Sequence, residues 1–350
     1  MKNNFKIDKF NNGKKRKAFI IAEIGVNHNG SFKLAKKLIK EAKKAGADCV
    51  KFQTFNAATL SRKDASKAPY QIKNTKNKES QYKMLKKLEL KKNFYPKLIK
   101  ICKKLKIAFL STPYNFEDVD FLQKVGVKAF KFSSMHLTES KFIDYVCKKR
   151  KPIILSTGMS KMSEISDALK ILSKNKHRKF VLLQCTTNYP SRIEDSNILC
   201  LKSFKKNFKC LVGFSDHTTN NISAVTAIAL GACVIEKHFT LDKKMKGPDH
   251  LCSYNPREFK LYVKDIRQAE FALGKETKNL SDIEKKNVKI MRRSIHAKKF
   301  IKKGEKLTLD KLVFLRPNDG IPANKLNSVL NKFVKKDILP FTKILFKNLK

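Results

Sequence analysis

Between residue 18 and about 240 the chain repeats one pattern: a short apolar run closes in polar residues, and a lysine-studded helical stretch follows. The runs are AFIIAEIG (18–25), CVKFQT (49–54), IAFLSTP (107–113), AFKFSS (129–134), PIILSTG (152–158), FVLLQCT (180–186), CLVGFSDH (210–217) and CVIEKHFT (233–240). Near-continuous apolar runs mark strands covered on both faces, and their alternation with helices marks parallel pairing. Eight such units in about 250 residues match a closed (β/α)8 barrel. The competing arrangement is an open doubly wound sheet, but no GxGxxG motif is present to support it.

The helices read most clearly after the first, fifth and seventh runs. SFKLAKKLIKEAKKAG has apolar residues at helical spacing and closes at Gly46. SKMSEISDALKILSK opens on a serine suited to capping, with Glu164 near its start. NNISAVTAIALG closes at Gly231. The second unit is irregular. Residues 55 to about 93 form a long polar connection before FYPKLIKICKKL, and so long a segment leaving a strand's C-terminal end predicts a substrate lid. A last barrel helix at about 255–272 is followed by the charged stretch GKETKNLSDIEKKN, beyond which short β-like pieces surround a glycine turn. The expected organisation is a basic extension (1–17), a barrel (18–273), a linker (274–291) and a small β-rich domain (292–350).

Charge adds one question to this picture. Lys plus Arg number 78 against 30 Asp plus Glu, a formal net charge of +48. Such an excess raises nucleic-acid binding. The lysines, however, are spread over nearly every predicted helix, Lys far outnumbers Arg, and no nucleic-acid motif is present. A solvated lysine surface that attracts anionic substrates is the reading, with no specific nucleic-acid partner. The eight cysteines include no CxxC pair and mostly lie in apolar stretches, as expected of buried thiols in a reducing cytoplasm. No apolar run reaches the ~20 residues of a membrane helix, and the polar N-terminus does not resemble a secretory signal.

In a (β/α)8 barrel the active site collects at the C-terminal strand ends. Here those ends carry Glu23, Lys51, Gln53, Thr112, Lys131, Ser134, Ser156, Ser215, His217, Glu236 and His238, among other polar residues. Isolated Ser and Thr are explained by solvent. Lys51, Lys131 and Glu236 are not, because they interrupt the apolar runs VKFQ, AFKFS and VIEKHF, and an inward charge needs a partner or a ligand. Two such lysines beside hydroxyls suit a phosphate or carboxylate. A single buried lysine would instead suit a Schiff base, giving a class I aldolase as the alternative. His217 and His238 end adjacent strands and can meet on one divalent ion, with Glu23, Glu236 and Asp249 of GPDH nearby, in an open catalytic site.

These motifs resemble those of a known family. IAEIGVNHNG, VKFQTF, LSTP, LSTGM, CTTNYP, GFSDHT, EKHFTLD and GPDH, in that order, look like the sialic acid synthases and their legionaminate and pseudaminate relatives. The C-terminal part resembles the antifreeze-like (SAF) domain of that family. The resemblance covers about residues 18–345. It implies a phosphoenolpyruvate-dependent N-acetylneuraminate synthase, which condenses phosphoenolpyruvate with an open-chain N-acetylated amino sugar, N-acetylmannosamine or a relative, and water. A legionaminate or pseudaminate synthase acting on a 2,4-diacetamido-trideoxyhexose is the alternative. It also implies that His217 and His238 bind a divalent metal, usually Mn2+ with Mg2+ able to substitute. Lys51, Lys131, Ser134, Ser156 and Ser215, with Thr112, would hold phosphoenolpyruvate. Glu23 and Gln53 would sit near the reacting carbons. Tyr189, Glu236 and Asp249 would take sugar-side or catalytic roles, and Thr187 stands where some members have Asn. Arg316, in FLRPNDG, would reach the sugar's acetamido group across a domain-swapped homodimer.

One departure stands out. Where many members read KxGSGE or KxASGE, this chain reads KFSSMHL, so His136 replaces an acidic residue that usually helps hold the sugar. CTTNYP and GPDH look more like the neuraminate and legionaminate branches than the pseudaminate branch.

Overall fold

The computed structural model describes residues 5–7, 10–11 and 17–350. The chain divides into two compact units, Met1–Gly274 and Lys275–Lys350. All eight predicted strands form in the first unit: Phe19–Gly25, Cys49–Thr54, Ala108–Pro113, Phe130–Phe132, Ile153–Ser156, Phe180–Cys185, Leu211–Asp216 and Val234–His238. They hydrogen-bond as one parallel sheet in the order third, second, first, eighth, seventh, sixth, fifth, fourth. That order is cyclic, and the sheet is a nearly closed (β/α)8 barrel. The opening lies between the third and fourth strands, and the fourth is only three residues long.

Alternation along each strand explains where the side chains go, since successive residues point to opposite faces. Phe19 and Ile21 belong to the inner core with Cys49, Leu110, Val181 and Val234, whereas Ile20, Ala22 and Ile24 belong to the outer core beneath the helices. The inner core has the same parity as Glu23, Lys51, Glu236 and His238. Climbing the strands, the interior therefore changes from aliphatic to charged. Asp216 and Lys237 have the opposite parity. They pair with each other at 3.1 Å in the outer layer, against Tyr262 and Tyr254.

Helix ends follow local chemistry. Phe32–Lys44 starts on Ser31, whose hydroxyl accepts from Leu34 N. It closes near Gly46, which takes the left-handed backbone the sequence anticipates. Met162–Lys174 corrects one expectation. Its N-cap is Lys161 rather than Ser160, and Glu164 accepts from Lys161 N at 2.7 Å. The expected N-terminal extension falls largely outside the described residues. Of that stretch, Phe5 and Ile7 are buried in the inner core.

The 55–93 segment is folded rather than a bare loop. It holds three short helices, Ala57–Leu60, Pro69–Thr75 and Gln81–Leu88. Asn56 and Ser80 cap two of them, and Glu89 accepts from Ala57 N at 2.7 Å to draw the ends together. Lys67 ties the middle, donating to Thr75 Oγ1 at 2.7 Å and to the Asn77 carbonyl at 2.9 Å.

In the second unit, the stretch expected to be a linker contains a helix, Asp282–Met291, opened by a reciprocal Ser281–Glu284 capping box. Beyond it an antiparallel pair, Ser294–Ala297 with Leu312–Leu315, packs on a small aliphatic core that includes Ile295, Ile301, Leu307 and Ile344.

Candidate active site

Every site residue expected from the sequence, except Thr187 and Arg316, lines one cavity of about 310 Å³ at the C-terminal end of the barrel. Strand register sets its floor. Glu23 lies opposite Lys51 on one side and His238 on the other, and Glu236 lies opposite Ser215. The chain bulges between Glu23 and Gly25. At Gly25, whose φ is +53°, an added Cβ would come within 3.3 Å of both Gln53 Nε2 and Glu23 Oε1. The site needs that position bare.

The floor is an alternating network of buried charges. Lys51 Nζ lies 2.9 Å from Glu23 Oε2 and 3.7 Å from Glu236 Oε2, and Lys131 Nζ lies 3.5 Å from Glu236 Oε1. Hydroxyls add hydrogen bonds to this network. Lys51 donates to Thr112 Oγ1 at 3.2 Å, Lys131 to Ser156 Oγ at 2.6 Å, and Ser215 Oγ to Glu236 Oε1 at 3.0 Å. Gln53 Nε2 donates to Glu23 Oε1 at 3.1 Å. The two lysines are thus set between two carboxyl groups, and an arriving anion joins a partly neutralised set.

The network drives the two carboxyls apart. Burial raises Glu23 above the usual carboxylate range, with Lys51 opposing and Glu236 adding to the rise. Burial would raise Glu236 too, but Lys131 and Lys51 win and hold it at about 2. Burial lowers Lys131, only partly offset by Glu236. For Lys51 the burial penalty is overcome by Glu23 and Glu236, and its pKa rises. Asp249 is raised to about 7 by burial and by Glu23.

Beside the floor, the His217 and His238 rings stand 5.5 Å apart at 62°. His217 Nδ1 faces the Thr186 carbonyl at 2.7 Å, which makes Nδ1 a donor, and Nε2 faces Ser215 Oγ at 3.5 Å. His238 Nδ1 is buried without a hydrogen-bond partner. Burial, then His217 and Lys51, hold its pKa well down, so the ring is neutral. Among the described residues no three His, Cys, Asp or Glu side chains form a closed metal cage. Burial opposes the charged form of His217, but Cys185 outweighs it and raises its pKa. Two imidazoles on adjacent strand ends still fit an ion that displaces this proton and takes its other ligands from water and substrate.

Two residues expected from sequence are not among the lining residues. Thr187 is exposed and not part of the cavity lining. Arg316 is exposed in the second unit, directly after the strand Leu312–Leu315. Nor does His136 face the sugar side. It is fully buried, stacked on Phe142 at 4.6 Å, one layer behind the cavity residue Tyr114. The expectation of an altered sugar contact at His136 is corrected: its side chain belongs to the core.

The structure adds residues that sequence reasoning did not name. Tyr70, from the folded 55–93 segment, stacks on Tyr189 at 5.0 Å, and Tyr189 lies on His217 at 4.1 Å. Asn74 donates to the Pro248 carbonyl at 2.7 Å, fastening the same segment beside Asp249. Cys185, at the end of the sixth strand, approaches His217 Nδ1 at 3.9 Å. The length of the 55–93 segment was the only sequence signal for Tyr70 and Asn74.

The sequence pattern of the NeuB family matches residues 38–278, and that of the SAF domain matches residues 292–349. The chain belongs to the NeuB family and is an enzyme of the sialic acid synthase group with a C-terminal SAF domain. It is 48% identical over 324 residues to an N,N'-diacetyllegionaminic acid synthase of Campylobacter jejuni, covering 92% of this chain and 97% of that one. It is 39% identical to the protein of the same name from Legionella pneumophila, covering 96% of each. Among solved structures, an N-acetylneuraminic acid synthetase from Leptospira borgpetersenii superposes with a TM-score of 0.69 at 28% identity, covering 78% of this chain and 90% of that one.

Proposed function

We propose that this enzyme condenses phosphoenolpyruvate with an open-chain 2,4-diacetamido-2,4,6-trideoxyhexose to form a legionaminic-type acid and phosphate. The observation that carries the reaction class is the charge-paired floor of Lys51, Lys131, Glu23 and Glu236 set beside two imidazoles in one cavity. The acceptor follows the legionaminic-named relatives, which are far more similar to this chain than the N-acetylneuraminic structure is. That replaces N-acetylmannosamine as the preferred sugar.

The residues divide the work. Lys51, Lys131, Ser134, Ser156 and Ser215, with Thr112, bind phosphate and carboxylate by charge-assisted hydrogen bonds. A divalent ion on His217 and His238, Mn2+ or Mg2+, would supply Lewis-acid polarisation of the sugar aldehyde. Carbon 3 of phosphoenolpyruvate attacks that aldehyde, water adds at carbon 2, and phosphate leaves. Glu23, kept protonatable by burial, is placed to hand over a proton, while Glu236 stays ionised and fixes both lysines. Gln53 orients Glu23. Tyr189 and Asp249 bound the sugar side. Arg316 would complete a neighbouring subunit's site in a homodimer. Mixing inactive Arg316→Ala and His217→Ala subunits should then restore activity, and inactivity of proven heterodimers would rule that arrangement out. Eight free cysteines and the lack, among the described residues, of any helix long and apolar enough to cross a membrane accord with a cytoplasmic enzyme.

The experiment is phosphate release over a sugar panel: the trideoxyhexose, N-acetylmannosamine and its 6-phosphate. The trideoxyhexose should give the highest kcat/KM. Equal or better use of N-acetylmannosamine would return the enzyme to the neuraminate reading. Lys131, with its pKa lowered by burial, favours one rival, a Schiff-base aldolase. Borohydride in the presence of pyruvate should leave the condensing enzyme active and trap the aldolase.

A further inference from the structure

The cavity has a floor and a roof of opposite character. The floor carries its cations: among the described lining residues, Lys51 and Lys131 are the only lysine or arginine side chains. The roof comes from the folded 55–93 segment. Leu60, Met84, Leu85 and Leu88 reach the cavity from it, joined by Val26. Met84 and Leu88 are rooted in an apolar cluster with Val26 and Phe55, and Leu60 and Leu85 pack against that cluster half-buried. The roof's amides are hydrogen-bonded within the segment, Gln81 Nε2 reaching Gln71 Oε1 at 3.5 Å. Gln71 accepts from Ala68 N and donates to the Tyr70 hydroxyl, and Gln81 accepts from the Ser61 hydroxyl.

We propose that this roof reads carbon 6 of the acceptor sugar and selects a methyl group there over a hydroxymethyl or a phosphate ester. The proposal rests on the condensation reading above. Carbon 1 of the acceptor must reach the floor, where the charges and imidazoles lie. Carbon 6 is at the other end of an open-chain hexose, so it is carried toward the roof. A methyl placed against Leu60 and Leu85 buries apolar surface on both partners. A hydroxymethyl placed against these two leucines gives up its water and gains no partner from them. A phosphate dianion meets aliphatic side chains, with both lining lysines already engaged on the floor.

The test uses three acceptors that differ only at carbon 6: N-acetylmannosamine, its 6-deoxy analogue and its 6-phosphate. The sugar kcat/KM is measured at saturating phosphoenolpyruvate, and equilibrium binding of the same three sugars reads the roof without turnover. The 6-deoxy sugar should be favoured over the 6-hydroxy sugar by about ten- to a hundredfold, the scale available to an apolar pocket, with the 6-phosphate weakest. Leu85→Gln and, independently, Leu60→Gln should shrink that preference to about threefold without moving the KM for phosphoenolpyruvate. Thermal melts establish that each variant is folded. Leu85→Lys should raise use of the 6-phosphate. Equal use of the 6-deoxy and 6-hydroxy sugars by the native enzyme would overturn the proposal, as would an undiminished preference in folded variants. The trideoxyhexose separates the two layers of argument. If it is condensed while carbon 6 goes unread, only the roof proposal falls. If it is not condensed while the 6-deoxy sugar still binds preferentially, the roof stands and the assigned acceptor falls.

Discussion

The floor and the roof of one cavity are built on different principles. The floor is made of strand ends whose positions are fixed by ladder register, and its charges are matched lysine to glutamate within 3.7 Å. The roof is made of three helices of four to eight residues, held by amides, a lysine clip and stacked rings. The first arrangement suits chemistry that must not change. The second can be rebuilt by a few substitutions without disturbing the barrel. If the proposed function holds, the comparison teaches that reaction type and sugar choice are stored in separable parts of this chain.

Removing the metal should have the largest effect. EDTA should abolish phosphate release and Mn2+ should restore it. His217→Ala or His238→Ala should lose bound Mn2+ in spin-resonance titrations, while full activity in metal-free protein would remove the imidazole pair from the floor's chemistry. Next come the lysines. Lys131→Met should lower kcat/KM for phosphoenolpyruvate by about a hundredfold, as expected for a lost charged hydrogen bond of about 3 kcal/mol. Lys51→Met should also destabilise the fold by about 3–5 kcal/mol, because it leaves the buried Glu23 without a cation, while Glu236 keeps Lys131. Urea melts would show this, and an unchanged midpoint would mean that the ion pairs are dispensable.

Smaller effects should mark the roof. Tyr70→Ala removes a ring stack of about 0.5–1.5 kcal/mol. The sugar KM should rise by up to about tenfold while that for phosphoenolpyruvate stays level, and a larger effect on phosphoenolpyruvate would merge the two regions. An effect on stability alone, with none on the sugar or on phosphoenolpyruvate, concerns His136, buried between Tyr114 and Phe142. Burial holds it at about 4, with Lys131 also disfavouring its charged form. Its ordinary value is about 6.5. The unfolded chain therefore takes up this proton first as pH falls, so stability is complete above about 6.5 and declines down to about 4. His136→Phe should reduce that acid loss by about 2 kcal/mol at pH 4.5, read as a difference in slope between the two proteins. Parallel slopes would mean that His136 does not titrate in this window.

The floor was legible in the sequence because Lys51, Lys131 and Glu236 break apolar runs, and a buried charge is a strong signal. The same signal misleads at Asp216 and Lys237. They also interrupt strands, but one step of parity turns them outward into a structural pair. The barrel was legible because each strand is covered on both faces. His136 shows the limit of reading a motif departure as a change in the site: a neutral ring stacked on Phe142 fills core space instead. The roof was nearly invisible, because its helices are too short for periodicity and its contacts are neutral. Only its length marked it. The helix Asp282–Met291 did carry a readable sign, the S-x-x-E box at Ser281 and Glu284, masked by a charged composition that resembled a linker.

The most direct test of the account is to incubate the Mn2+-loaded enzyme with [3-13C]phosphoenolpyruvate and the trideoxyhexose and follow the label by NMR. The account predicts a labelled methylene bonded to the former aldehyde carbon, formed with one phosphate per product. Label remaining in phosphoenolpyruvate or appearing in pyruvate, or the same bond formed from pyruvate without phosphate release, would contradict it.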